Sequence, residues 1–306
     1  MRMLFGMMLL TLFAAGNVCA QAVDSGFAWG RDYTFERMTA TRVVNDAEDK
    51  GTIRLVAYVY RPVKNDRHKI VLFSHGSTGG LSRSPKEAMD APPIPVINFF
   101  ISRGYTLVAP MRRGRNESSG TYVEECSVFT NQCTVEDQIP RGERAMKEAL
   151  ADTNAVIDQL IIGKLASRDS KILVAGISRG GFLSLILAGE RPTLVEGVVN
   201  FVGGWLGVTD RLTDAQSKAR MDDQKARLER AAKHFSGPSV WFYAARDPFY
   251  KDGVAQALYK YWTDVGGKGE FIYINDHTLQ SGHLVATNSS LWSKQVQALL
   301  SKIDAP

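Results

Sequence analysis

The sequence predicts an α/β fold: one doubly wound, mostly parallel sheet with helices on both faces and antiparallel strands on its N-terminal side. Three observations predict it. From Lys69 onward, short apolar stretches rich in Val, Ile and Phe alternate with stretches of helical periodicity. Those apolar stretches are continuous rather than alternating, as in strands covered on both faces. Ahead of them, residues 36–44 and 52–61 read as two antiparallel strands joined by the polar turn Asn45 to Gly51. The 306 residues, 44% hydrophobic and 23% charged, suit one large soluble domain.

In chain order, the buried-type strands are Ile70–Ser74, Thr106–Pro110, Lys171–Gly176, Gly197–Val202, Ser239–Ala244 and Glu270–Ile274. The helices are 93–103, after a Pro-rich start, then 142–162, 179–190, 252–265 and 288–303. In the second of these, Met146, Leu150, Ile157 and Ile161 fall on one face. Right-handed crossovers bring the C-terminal ends of the parallel strands to one edge, where sites form. Two excursions interrupt the alternation. Residues 111–141 read as a long polar loop. Residues 206–236 contain a charged helix with a capping box at Thr213 and Gln216, a stop at Gly237-Pro238 and a thin apolar stripe of Leu228, Ala231, Ala232 and Phe235. That helix is expected on the surface near the site, either as a solvated crossover or as a lid.

Residues 1–20 read as a secretory signal: a basic start at Arg2, an apolar run from Leu4 to Ala15, and Val18-Cys19-Ala20 at the cleavage site. The mature domain is then 21–306. An uncleaved anchor is the alternative, though the apolar run is short for a bilayer. Neither a lipoprotein nor a twin-arginine signal fits. Cleavage removes one positive charge, so the formal +5 becomes +4. The basic residues are scattered, which argues against a nucleic-acid partner. Export, to the periplasm or the medium, leaves Cys126 and Cys133 as the cysteines of the mature chain, and a Cys126–Cys133 disulfide is expected. Closing so short a loop is worth about 2.5 kcal/mol in the chain-entropy account. No stable membrane insertion is expected after cleavage, and the sequence carries no reading of oligomeric state.

The chemistry centres on Gly176-Ile177-Ser178-Arg179-Gly180. It joins a buried strand to an apolar helix. A serine at such a turn is held in a strained backbone conformation, and glycines two positions on either side prevent collisions. The turn exposes Ser178 Oγ at a helix N-terminus, where developing negative charge is favoured. A serine needs a base. Of His68, His75, His234, His277 and His283, only the last two follow the final strand. His283 is the expected base, because His277 has little chain with which to turn back; Gly282 is expected to supply the backbone angles. Asp247, at the end of strand Ser239–Ala244, is the expected acid, with Asp210 as the alternative. The oxyanion hole needs two N–H donors. One is the Arg179 N–H. The other comes from the loop His75-Gly76-Ser77-Thr78, with Ser77 first and Thr78 second; His75 is expected to be structural. The sequence shows no metal-binding cluster or phosphate loop, so no cofactor is expected.

With these residues in order, residues 52–303 resemble the α/β-hydrolase superfamily. The His75-Gly76 loop, the Ser178 turn, Asp247 and His283 carry the resemblance. Gly180-Gly181 and the stretch from Arg112-Arg113-Gly114 to Ser118-Ser119-Gly120 are similar to the dienelactone-hydrolase and prolyl-oligopeptidase-like branch. The resemblance implies a serine hydrolase acting on a small-molecule or peptide-like acyl substrate, read here as a carboxylic ester cleaved through an acyl-enzyme. A peptidase or amidase on the same triad is the first alternative. A non-catalytic hydrolase-like binding protein is the second.

Overall fold

The computed structural model describes residues 31–77, 91–124, 134, 136–162, 164–167, 169–276 and 278–305. Residues 1–20, Thr78, Cys126, Cys133 and His277 lie outside them, so the expectations on the signal, the disulfide and the alternative base fall outside the described residues.

Eight strands form one sheet: β1 (Tyr33–Asn45), β2 (Lys50–Pro62), β3 (Lys69–Ser74), β4 (Tyr105–Met111), β5 (Ile172–Ile177), β6 (Val195–Phe201), β7 (Ser239–Ala244) and β8 (Glu270–Ile274). Their spatial order is β1-β2-β4-β3-β5-β6-β7-β8. The β1–β2 and β2–β4 pairings are antiparallel and the rest parallel. The hairpin turns at Asp46, whose carboxylate accepts the Glu48 and Asp49 N–H groups at 3.0 and 2.9 Å. Strands β3 to β7 are buried almost throughout, as their unbroken apolar runs predicted.

The helices are α1 (Ile94–Ile101), α2 (Gln138–Val156), α3 (Arg179–Glu190), α4 (Asp214–Ala232), α5 (Val254–Asp264) and α6 (Ser293–Ile303). Helices α2, α3, α4 and α5 pack side by side on one face. On the other, Phe99 of α1 meets Trp292, ahead of α6, edge to face at 5.0 Å. Helix α2 begins earlier than expected. Pro140 sits in its first turn, where the missing N–H has no partner to lose. The chain then widens into a π-turn over Ile157–Ile161. Residues 282–291 form 3₁₀ turns rather than the start of α6.

Both halves of the capping box on α4 are present. Leu228, Ala231, Ala232 and Phe235 are buried, and so is Gln224. A Cβ on Gly189 of α3 would collide with the Ala231 backbone, so the two helices touch main chain to main chain. Gln224 accepts the Trp205 N–H at 2.9 Å and donates to the Leu206 carbonyl at 3.1 Å. Helix α4 is therefore a firmly packed crossover from β6 to β7. The first excursion also differs from expectation. Arg112, Arg113 and Arg115 in the expected polar loop are fully buried.

Candidate active site

The turn at Ser178 is built by crowding. Ser178 ends β5 and starts α3 with φ 56° and ψ −124°, a backbone state that a side chain rarely adopts. Its N–H is fixed on the Phe201 carbonyl at 2.9 Å. A Cβ on Gly176 would strike the Gly180 carbonyl, and one on Gly180 would strike the Ser74 carbonyl. These close approaches let α3 leave the strand at a steep angle. They are the reason for both glycines.

His283 and Asp247 meet beyond the ends of β8 and β7. His283 Nδ1 lies 2.9 Å from Asp247 Oδ2, with 16% of the histidine side chain and 2% of the aspartate side chain exposed. The other carboxylate oxygen accepts the Phe249 N–H at 2.8 Å. An Nδ1–H donated to this carboxylate leaves Nε2 as the basic nitrogen of the neutral ring. Asp210, the alternative acid, is exposed elsewhere. The two loops are locked together where Gly282 N–H donates to the Arg246 carbonyl at 3.3 Å, with Arg246 at φ 61°. Gly282 has no left-handed φ. It is glycine because a Cβ would sit against the carbonyls of Ala244 and Ala245. The expected reason, special backbone angles, gives way to close approach. Ser281 Oγ accepts the His283 N–H at 3.2 Å, starting the 3₁₀ turn. The Phe249 ring, partly exposed, lies 4.6 Å from the imidazole.

The loop after β3 passes directly over Ser178. A Cβ on Gly76 would come to 3.2 Å from Ser178 Cβ, so Gly76 borders the serine, and the half-buried Ser77 follows it in the loop. Arg179 is the first residue of α3. The loop is held from below by a device that the residue pattern did not reveal. Arg112 donates to the His75 carbonyl at 3.0 Å and to the Gly76 carbonyl at 3.2 Å. Its guanidinium is paired in two places with buried Glu124, one contact being 2.8 Å. His75 Nε2 accepts the Arg112 N–H at 3.3 Å, and its Nδ1 donates to the Gly76 carbonyl at 2.8 Å. Burial, with Arg112 and Arg115 close by, holds the His75 pKa well below 6.5, so the ring is neutral and structural, as expected. The positive neighbours Arg112, Arg115 and Arg179 outweigh burial at Glu124 and keep its carboxyl ionised. The Arg179 side chain donates to the carbonyls of Glu124 at 2.6 Å and Trp205 at 3.1 Å. Beside it opens a cleft of about 380 Å³ lined by Tyr122, Arg141, Gly142 and Leu206.

Sequence reasoning also missed Tyr250, three residues after Asp247, a buried side chain whose phenol packs over Gly204 and whose ring lies 6.2 Å from that of His283. Among the described residues, no group of three or more His, Cys, Asp or Glu could hold a metal ion, and no helix is long and apolar enough to cross a membrane.

No protein-family model matches the chain, and no curated protein matches it. Solved structures do. An esterase of Pyrococcus furiosus superposes with a TM-score of 0.56 at 15% identity, over 88% of this chain and 91% of that one. Est1E of Butyrivibrio proteoclasticus with ferulic acid bound gives 0.53 at 14%, over 81% and 96%. An acylaminoacyl peptidase of Pyrococcus horikoshii gives 0.58 at 14%, over 90% of this chain but 42% of that one. Identities this low speak for architecture alone, and with the strand order and the turn at Ser178 they make the fold of this chain the α/β-hydrolase fold.

Proposed function

We propose that the chain is an exported serine hydrolase that cleaves carboxylic esters through an acyl-enzyme. One observation carries this reading. A serine in a strained strand-to-helix turn shares the C-terminal edge of the sheet with a histidine whose Nδ1 lies 2.9 Å from a buried aspartate. In this reading Ser178 Oγ attacks the acyl carbon while its proton passes to His283 Nε2. Asp247 steadies the imidazolium. The N–H groups of Ser77 and Arg179 receive the oxyanion. His283 returns the proton to the departing alcohol, and water releases the acyl group by the same steps. The chain's own groups suffice, so no cofactor is invoked. Ester cleavage is favoured over peptide cleavage because the structures of similar length include an esterase, whereas the peptidase is more than twice as long. Export rests on residues 1–20, and with it the Cys126–Cys133 bridge.

A fluorophosphonate probe tests the reading. Wild-type protein is expected to be labelled at Ser178, and Ser178→Ala to lose both the label and nearly all ester turnover while keeping its circular dichroism. Nitrophenyl esters are expected to outpace anilides of the same acyl group in kcat/KM. Label on another serine, or faster anilide cleavage, would overturn the assignment or the substrate class respectively. Intact mass of the exported protein is expected to begin at Gln21 and to rise on reduction; two alkylatable thiols without reductant would sink the bridge.

A further inference from the structure

We propose that Phe249 is a specificity-determining residue that selects esters with a bulky apolar alcohol part, a benzyl ester before a methyl ester; this rests on the serine-hydrolase reading above. The placement of its ring is built rather than incidental. The Asp247 carboxylate serves two neighbours: one oxygen lies 2.9 Å from His283 Nδ1, and the other accepts the Phe249 N–H at 2.8 Å. Residues 249–251 form a short parallel bridge with Val208. The Val208 N–H donates to the Phe249 carbonyl at 2.8 Å, and the Lys251 N–H to the Val208 carbonyl at 2.9 Å. Gly207 leaves room for this, since a Cβ there would come to 3.2 Å from the Phe249 carbonyl oxygen. Neighbouring side chains of an extended segment point to opposite sides. Tyr250 turns inward and is 7% exposed. Phe249 turns outward, where its ring lies 4.6 Å from the imidazole, tilted by 57°, and the residue stays 37% exposed. The carboxylate that orients the histidine thus also fixes the aromatic wall beside it.

Two of the six large apolar side chains exposed among the described residues, Phe249 and Leu284, stand at His283, one against its ring and one next to it in the chain. Ester cleavage brings one part of the substrate to this wall. His283 Nε2 gives its proton to the departing alcohol oxygen, which must come within hydrogen-bond reach, about 2.6–3.2 Å. The group carried by that oxygen leaves along the imidazole, beside the Phe249 ring, while the acyl part stays on Ser178 Oγ. An apolar alcohol covers the exposed ring and releases water from both surfaces. A benzyl ring adds a tilted ring-to-ring contact, whereas a methyl group is too small to cover Phe249. The contact exists while the acyl-enzyme forms and is gone once the alcohol has left. Phe249 therefore acts on acylation and not on release of the acid.

Benzyl and methyl esters of one acid test this, because both pass through the same acyl-enzyme and differ only in the alcohol. Released alcohol is measured for the two on one preparation, so any loss of folded protein cancels from the ratio of their kcat/KM values. Wild-type protein is expected to favour the benzyl ester by about 10- to 100-fold. Phe249→Ala is expected to shrink that ratio by about tenfold. Phe249→Leu, which keeps an apolar side chain, should shrink it by less. A wild-type ratio near one, or a Phe249→Ala ratio equal to that of wild type, overturns the proposal while the hydrolase reading stands. An equal fall on both esters also overturns it, because Phe249 would then only support His283. A wild-type chain that takes no fluorophosphonate label at Ser178 overturns both.

Discussion

The two walls around Ser178 are made of different materials. On the base side, the loops after β7 and β8 are held by backbone contacts: Gly282 against the Ala244 and Ala245 carbonyls, the Arg246 carbonyl on the Gly282 N–H, and aromatic rings around His283. On the side of the proposed oxyanion hole, the loop after β3 rests on an ion pair, Arg112 with Glu124, sealed from water. The first wall fails by steric misfit and the second by leaving a charge unpaired. Function and stability should therefore separate: the base side can lose its chemistry with its packing intact, whereas the oxyanion side loses both together.

The largest effect should come from the base side. His283→Ala is expected to lower ester turnover by about four orders of magnitude or more, with the urea midpoint little changed. His277→Ala should remain near wild type. A folded His277→Ala protein without activity, beside an active His283→Ala protein, would show that the base is misassigned.

Next in size is the buried pair. Glu124→Gln leaves the Arg112 guanidinium without its counter-charge, and removing one partner of a buried pair costs about 3–5 kcal/mol. The paired change Arg112→Met with Glu124→Leu should recover most of that stability but not the turnover, since the His75 and Gly76 carbonyls lose their donor. Urea unfolding and ester turnover of the three proteins check this. Full turnover in the double variant would break the distinction between the walls.

The smallest effect is a pH slope. The folded His75 pKa is depressed, so below pH 6.5 the unfolded chain binds a proton that the folded chain refuses. The stability that His75 contributes is fully present above pH 6.5. It is lost as pH falls toward the depressed value, at up to about 1.4 kcal/mol per pH unit. Urea unfolding from pH 7.5 downward should show this slope, and His75→Asn should flatten it. An equal slope in both proteins would mean that the buried ring does not titrate as described.

The difference between the walls also governs how much of each was legible in the sequence. Strand β7 and helix α3 stand where the apolar runs put them, because buried parallel strands have few other ways to look; β8 stands at its expected place too, but as a half-exposed edge strand rather than the buried one its apolar run suggested. The strand-to-helix turn at Ser178 and the meeting of His283 with Asp247 were readable because their residue types, order and flanking glycines serve one local geometry. Arg112, Arg113 and Arg115 read as exposed loop residues, since arginine is rarely buried. Their burial depends on acids distant in the chain: Glu124 for Arg112, and Asp46 for Arg113 at 2.6 Å. No local pattern encodes those meetings. The packing of Tyr250 over Gly204 was missed for a related reason, since Gly204 comes from the loop after β6 and meets it only in the folded chain.

On the proposed hydrolase reading, the order of strands along the chain sets when Ser178 can become reactive. Ser178 follows β5, in the interior of the sheet, whereas His283 follows β8, which among the described residues is an edge strand paired with β7. A folding chain can complete the nucleophile turn while the base is still solvated elsewhere, and a serine hydroxyl without its base is a poor nucleophile. The docking of β8 onto β7 is then the arming step. On the proposed reading, Ser178 stays inert toward esters until that edge closes.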